Sequence, residues 1–548
     1  MNLTPAALTL LEDRYLLPGE TPDALFSRVA GAVDTPLSGE FLRMMKDLQF
    51  IPNSPTLMNA GTTIGQLSAC FVLPVEDSLQ GIFSTLSAMA LIHQSGGGTG
   101  FSFSRLRPSG DPVSSTCGAA SGPLPFIRVF DEATNAVKQG GKRRGANMAV
   151  LSSSHPDIID FINAKNEGGL DNFNLSVGFD AQFFNCLDRN APYDLINPRD
   201  GSVKGSIGAF ELWHVLGSAA WRSGDPGVLF LDTVNGKNTV PGLGEIEATN
   251  PCGEQPLLPF ESCNLGSINL SRCMKQGELD EELVQTIADR GIRFLDAVID
   301  VNRFPLPEIR EKTLLTRKVG LGIMGLADAL ILSGIPYESE EALRFAGRTM
   351  ALISRVAHET SRELGEEKGS FPAIDRSIYT GAMRNATTTT IAPTGSLHLI
   401  AGVSSGIEPV FSLASTRRIG NRSVTLVHPL FEQYLKTTST GGRDLLAHVR
   451  RTGTLSSAPV PDEIKDLYRT ATEISPDHHI RMQAAVQEHV DNAVSKTVNL
   501  PEDASVDEIL RIFMLARSLG CKGVTVYRYN SKKEQVLSRG CEMCRVDT

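Results

Sequence analysis

Asn250-Pro251-Cys252-Gly253-Glu254-Gln255-Pro256, followed eleven residues after Cys252 by a second cysteine, Cys263, is the stretch from which the chain is read. Asn250, Cys252 and Glu254 alternate, so an extended backbone would point all three side chains the same way. Pro251 and Pro256 remove two backbone donors and disfavour a central strand or a helix interior, which predicts a rigid projecting loop. An amide, a thiol and a carboxylate on one side of a stiff loop supply an orienting group, a reactive sulfur and a proton acceptor. The same residues also suit a buried structural cysteine in a proline-rich connection, since cysteine is among the most buried residue types.

The 548 residues around this stretch exceed one ordinary core. That length suits roughly three to four domains, or one large α/β barrel with appendages. Hydrophobic residues make up 41% of the chain, as in a globular protein, and no apolar run reaches the length of about 18 residues that marks a membrane span. Met1 to Leu8 lack a basic segment ahead of an apolar core, so no secretory signal is read there and a cytoplasmic setting is expected. A formal net charge of -10 argues against a broad nucleic-acid surface, although local loops can still bind an anionic small substrate. Nine cysteines, an odd number, read as thiols rather than a disulfide framework, with Cys186 and Cys273 structural.

Residues 1 to about 50 read as short helices, including Phe41 to Met45. The prolines of Pro52 to Met58 favour extended backbone, and Cys70 to Pro74 is an apolar strand. A helix over Ile82 to Gln94 precedes Ser95-Gly-Gly-Gly-Thr-Gly-Phe101, whose glycines, Gly98 among them, let amides approach an anion or a sugar, or simply make a turn. Leu124 to Lys138 reads as a helix. Gln139 to Asn147 then gathers three positive charges between glycines, which alone suits a solvated basic loop. Phe173 to Gly178 reads as a strand and Ala209 to Ser223 as a helix.

Gly320-Leu-Gly-Ile-Met-Gly325 satisfies the dinucleotide pattern G-x-G-x-x-G, which carries meaning only after a strand in a βαβ unit. Leu314 to Lys318 would be that strand and Glu338, Glu340 or Glu341 the acidic residue. Those glutamates, however, sit at a helix start, where they favour the dipole. A NAD-dependent oxidoreductase is the alternative this motif leaves. Thr387 to Leu397 runs from a β-branched strand through Pro393-Thr394-Gly395-Ser396 into a helix at Leu397, an arrangement that suits an anion site or an ordinary helix cap. Near the end, Cys541 and Cys544 lack the second pair that a zinc site needs and read as a dithiol shuttle on a flexible terminus.

Residues 250–270 closely resemble the active-site finger loop of ribonucleotide reductases, and most closely the adenosylcobalamin-dependent class. Further matches run from about Phe50 to Arg528 and include late barrel strands in Val490 to Leu500 and Gly520 to Arg528. The resemblance implies a ten-stranded α/β barrel of two five-stranded halves with the Cys252 loop threaded through its centre. It divides the chain into an N-terminal helical segment (1–50) without an ATP-binding regulatory domain, a catalytic barrel with its specificity loops (51–530), and a flexible tail with the redox cysteines (531–548). Close helix packing would then explain Gly320 to Gly325.

By the same resemblance, Cys252 becomes a thiyl radical and takes the 3′ hydrogen of a ribonucleoside diphosphate. Glu254 accepts the 3′-hydroxyl proton and Asn250 orients the hydroxyls. Cys70 and Cys263 supply a proton and two electrons and end as a disulfide, which Cys541 and Cys544 reduce with electrons from a thioredoxin-like protein. Ser54, Ala69, Gly98, Pro251, Gly253 and Pro393 to Leu397 would touch substrate together with Asn250, Cys252 and Glu254. Asp77, Lys138, Gln139 and Arg143 would hold a specificity effector, a deoxynucleoside triphosphate or ATP, at a homodimer interface. Reductases that import a radical use adjacent tyrosines where this chain has Tyr527-Arg528, and the tail Cys544-Arg-Val-Asp-Thr548 lacks a glycyl-radical motif. Adenosylcobalamin is the remaining source, although no Asp-x-His-x-x-Gly sequence is present to replace its lower ligand. A catalytically inactive nucleotide-binding regulator is the competing reading from another class, and a binder has no use for five placed cysteines.

Overall fold

The computed structural model describes residues 3–33, 35–113, 117–139, 143–166, 168–419, 422–437, 442–531 and 537–539. Helices Pro5–Arg14, Pro22–Val33 and Ser38–Lys46 open the chain. Phe41 and Met45 of the third pack against the long helix Glu281–Val301 in one apolar cluster.

Ten strands form the central sheet: β1 (Phe50–Pro52), β2 (Cys70–Pro74), β3 (Gly98–Ser102), β4 (Asn147–Ser152), β5 (Phe173–Phe179), β6 (Gly227–Phe230), β7 (Ser262–Asn269), β8 (Val319–Met324), β9 (Thr497–Leu500) and β10 (Gly523–Arg528). β2 to β6 pair in sequence order, all parallel. In the second half β7 is parallel to β8 and β9 to β10. Single parallel bridges, Leu321 to Thr389 and Ile391 to Val494, carry the second half across the run of threonines at 387–390 to the segment that leads into β9. The halves meet antiparallel at β2/β7 and at β6/β10. The fold is therefore the α/β barrel of two five-stranded halves that the sequence implies, with β1 an added antiparallel strand on β7. Strands covered on both faces read as continuous apolar runs, and every residue of β7 and β8 is buried.

The interior is small. Cys70, Val72, Met148, Val150, Leu229, Cys263 and Leu265 point into it and surround Ala248 and Leu257. Those last two belong to a hairpin, Ala248–Thr249 paired with Pro256–Leu257, whose turn is the 250–255 motif. The hairpin lies against glycine in β3. A Cβ on Gly100 would stand 1.7 Å from the Thr249 carbonyl oxygen, and one on Gly98 would stand 2.9 Å from Pro251 Cγ.

Several expectations change. Leu314 to Lys318 is not a strand, because helix Pro307–Thr316 covers most of it. Gly320 and Gly322 lie inside β8 rather than after a strand, so the dinucleotide reading loses its geometry. A Cβ on Gly322 would come within 2.1 Å of the Thr390 carbonyl oxygen, so the glycines admit a neighbouring backbone rather than a pyrophosphate. Glu338 is taken by Arg469 at 2.7 Å and by the Ser475 amide at 3.0 Å. The helix expected to reach Lys138 stops at Ala136. Lys138–Gln139 then pairs antiparallel with Arg143–Arg144, so the basic loop is a hairpin.

Candidate active site

Residues 250–255 do not present their side chains by strand alternation. They form a tight turn, with the Asn250 amide donating to the Gln255 carbonyl (3.1 Å), Gly253 N–H to the Asn250 carbonyl (3.1 Å), and Gln255 N–H to Asn250 Oδ1 (3.0 Å). Gly253 has φ +81°, a conformation open to glycine without strain. The turn buries Asn250 and Glu254 and leaves Cys252 exposed at its tip. Asn174 of β5 donates to the Pro251 carbonyl at 2.8 Å. On the other side Thr390 Oγ1 and the Ala493 amide both donate to the Glu254 carbonyl at 2.9 Å. Both halves of the barrel therefore hold the loop.

Beneath it, the antiparallel junction puts Cys70 directly opposite Cys263. Opposed residues in such a pair have Cα atoms about 4.5–5.5 Å apart. That lies within the span of about 4.4–6.8 Å over which a disulfide closes. Asn250 Nδ2 donates to Cys70 Sγ at 3.1 Å, and the Cys70 thiol lies 4.0 Å from Glu254 Oε1. Burial, reinforced by the nearby Glu254 charge, holds the Cys70 thiol well above its ordinary range. Burial raises Cys263 in the same direction against the opposing pull of Lys318. Burial also raises the Glu254 carboxyl to about 7, although Asn250 pulls it down. Its Oε2 is buried without a hydrogen-bond partner among the described residues. The site thus holds two protonated, opposed thiols, a carboxyl poised to exchange a proton near neutral pH, and an outward-facing thiol.

The remaining expected residues fall into three groups. Ala69 and Gly98 adjoin the thiols, with the Gly98 amide donating to the Ala69 carbonyl at 2.9 Å. The segment Pro393 to Leu397 follows the threonine run that tethers Glu254. Thr394 has φ +47°, accepts from the Gly406 amide at 3.0 Å, and leads into a helix of only five residues, Leu397–Ala401. Ser54 hydrogen-bonds Tyr15 at 2.8 Å. Asp77 pairs with Arg107, at 2.8 Å to Nε. Lys138, Gln139 and Arg143 contribute backbone to the hairpin, and their side chains lie outside the described residues, as do Cys541 and Cys544. Of the cysteines read as structural, Cys273 is buried with its thiol pushed up to about 12, and Cys186 is half-buried.

Sequence reading missed Thr390 and the buried Lys318–Glu261 ion pair (2.7 Å) beside Cys263. These contacts span tens to hundreds of residues and leave no local signal. The structure also gives Arg528 an occupation: its guanidinium lies 4.0 Å above the Trp221 ring and donates to the Trp221 carbonyl at 3.0 Å.

An opposed pair of thiols can release two electrons and close as a disulfide, which defines an oxidoreductase that draws on its own cysteines. The family model described as "Ribonucleotide reductase, all-alpha domain" matches residues 1–65, and "Ribonucleotide reductase, barrel domain" matches residues 68–382 and 373–527. The chain belongs to the ribonucleotide reductase family. It is 49% identical over 98% of its length to a vitamin B12-dependent ribonucleoside-diphosphate reductase of Mycobacterium tuberculosis (strain CDC 1551), 81% of which is covered. It is 51% identical over 91% of its length to a vitamin B12-dependent ribonucleoside-diphosphate reductase of Thermoplasma acidophilum, 66% of which is covered. A vitamin B12-dependent ribonucleotide reductase of Streptomyces coelicolor is 30% identical over 89% of the chain, with 59% of that relative covered.

Proposed function

We propose that this chain is an adenosylcobalamin-dependent ribonucleoside-diphosphate reductase, in which Cys252 carries the radical and Cys70 with Cys263 the reducing electrons. The observation that carries the reading is the Cys70–Cys263 juxtaposition beneath a loop that sets Asn250 and Glu254 on the Cys70 thiol. The overall change balances: a ribonucleotide and two thiols give a 2′-deoxyribonucleotide, a disulfide and water. When bound, adenosylcobalamin supplies the radical that removes the hydrogen atom of the Cys252 thiol. Cys252 suits that encounter because it is exposed while the other two thiols are sealed in the interior.

This chain's residues do the rest. Cys252 abstracts the 3′ hydrogen, and the unpartnered Oε2 of Glu254 takes the 3′-hydroxyl proton. Asn250 holds Cys70 and the substrate hydroxyls in line. Cys70 and Cys263 stay protonated until they deliver hydrogen, as their raised thiols require. Ser54, Ala69, Gly98 and Pro393 to Leu397 bind the nucleotide, the last five through the diphosphate. Cys541 and Cys544, on a tail we assign to residues 531–548, regenerate the dithiol with electrons from a thioredoxin-like protein.

We also assign Asp77, Lys138, Gln139 and Arg143 to a deoxynucleoside triphosphate or ATP effector. Leu79 (66% exposed) and Phe83 (49%) on helix Leu79–Gln94, with Val129 (40%) on helix Pro123–Ala136, support a homodimer face beside that site. The test is anaerobic reduction of CDP with dithiothreitol, with and without adenosylcobalamin. Deoxycytidine diphosphate formed only with the cofactor is the expected result. No product from CDP or CTP, effectors present, would sink the reading in favour of a nucleotide-binding regulator.

A further inference from the structure

Four side chains buried away from the reacting thiols form one hydrogen-bonded line whose polarity is fixed by its ends. Thr134 donates to the Phe130 carbonyl (2.7 Å) within its own helix, so its oxygen accepts from Asn147 Nδ2 at 2.9 Å. Asn147 Oδ1 is then the acceptor for Thr99 Oγ1 at 2.6 Å. With its single proton committed, Thr99 accepts from His93 Nε2 at 3.0 Å. His93 is completely buried, and burial lowers its imidazole to about 4, so the ring is neutral with its proton on Nε2. Its Nδ1 lone pair is buried and has no partner among the described residues. It faces Gly145, where a Cβ would stand 2.9 Å from Nδ1 and 2.3 Å from Thr134 Cγ2.

The line joins two places. Thr134 precedes, and Asn147 follows, the hairpin Lys138–Gln139/Arg143–Arg144. Thr99 is the second residue of β3, beside Gly98, over which Pro251 of the Cys252 loop rests. The Thr99 amide also donates to the Ala146 carbonyl at 3.2 Å. Any shift of the hairpin's return arm through Gly145 and Ala146 therefore presses on the strand that floors the active-site turn.

We propose that His93, Thr99, Thr134 and Asn147 are positioning residues that transmit the hairpin's position to Gly98 and the Cys252 loop, and so set which base is reduced. This rests on the hairpin being the effector site. Bistable hydrogen-bonded elements can carry such coupling because each partner has one committed direction. His93 Nδ1 is the free seat in the line, ready to accept a backbone N–H when the return arm shifts.

The test uses the holoenzyme with an equimolar mixture of CDP, UDP, ADP and GDP. dATP, dGTP and dTTP are added in turn, product ratios are measured under anaerobic conditions, and binding of each effector is measured by equilibrium dialysis. Thr99→Val keeps the shape and removes the hydroxyl, and Thr99→Ser restores it. Coupled sites typically change affinity by roughly 5–150-fold, and Thr99→Val should shrink the effector-driven change in product ratio below about twofold. Effector binding and unprompted turnover should stay near wild type, and Thr99→Ser should keep the response. A full response in Thr99→Val overturns the inference, and so does a response lost equally in Thr99→Ser, which would show that packing alone matters. Effector binding by the wild type without any change in ratio overturns the inference while leaving the effector site standing. No binding of any effector overturns both.

Discussion

The two halves of the barrel meet at two antiparallel junctions, and the comparison between them separates architecture from chemistry. At β2/β7 the inward pair is Cys70 opposite Cys263; at β6/β10 it is Leu229 opposite Gly523. Closing two parallel halves into one barrel requires both junctions, so both have the same backbone logic. At the second, Leu229 fills the interior over a glycine whose Cβ would come within 2.8 Å of its side chain. At the first, two thiols of similar bulk do the filling and the Cys252 loop descends onto them. Register alone makes a disulfide feasible at either junction; only the residues, and the carboxyl of Glu254 beside one of them, make one junction reactive.

The largest expected effect breaks the first junction from above. Cys252→Ser should lower turnover by about 10⁴-fold or more, as when one member of a catalytic unit is removed. Nucleotide binding should change little, because Cys252 faces outward and the turn is held by Asn250, Gly253 and Gln255. Turnover near wild type would contradict the radical role. Cys70→Ser and Cys263→Ser should each be nearly as severe, roughly 10³-fold. In those variants, thiol titration after exposure to substrate should show no loss of the partner thiol, whereas in the wild type both disappear together.

Glu254→Gln should lower turnover by about 10²–10⁴-fold, the usual range for a general base. In the wild type the rate should climb with pH and level off above about 7, the value to which burial raises the carboxyl. The stability effect runs the opposite way. Between 4.5 and about 7 the native carboxyl binds a proton that the unfolded one has released, so stability falls as pH rises through that window. The difference between 4.5 and about 7 corresponds to about 3 kcal/mol. Glu254→Gln should therefore be the more stable protein in urea at pH 8 and close to wild type at pH 4.5. Equal stability of the two at pH 8 would show that the carboxyl is not strained by burial.

How much of this was legible beforehand depends on how local each signal is. Helix Ala209–Ser223 was legible to the residue, because its amphipathic run and terminal Gly224 (φ +76°) are local. The reactive trio Asn250, Cys252 and Glu254 was legible as a group. Its presentation was not, since alternation suggests a strand and the chain makes a turn held by Asn174, Thr390 and Ala493 from distant strands. Gly320 and Gly322 misled for the same reason: what they accommodate is the backbone of Thr390, some seventy residues on. Cys70 and Cys263 reveal nothing by spacing, because a register across 193 residues sets their pairing, and only the family resemblance brought them together.

The smallest effect sharpens the comparison most. Leu229→Met at the second junction exchanges one apolar side chain for another of similar volume in a buried position. Such exchanges cost under about 1.5 kcal/mol in other cores. Cys263→Ser at the first junction is a smaller change in shape, a sulfur for an oxygen at a site just as buried. If the junctions differed only in packing, the methionine would disturb the barrel more. If the first serves redox chemistry and the second closure alone, Leu229→Met should turn over at the wild-type rate and unfold slightly earlier in urea. Cys263→Ser should unfold near the wild-type midpoint and make no deoxynucleotide. Loss of turnover in Leu229→Met at unchanged stability would mean that the second junction also shapes the interior in which the Cys252 loop works.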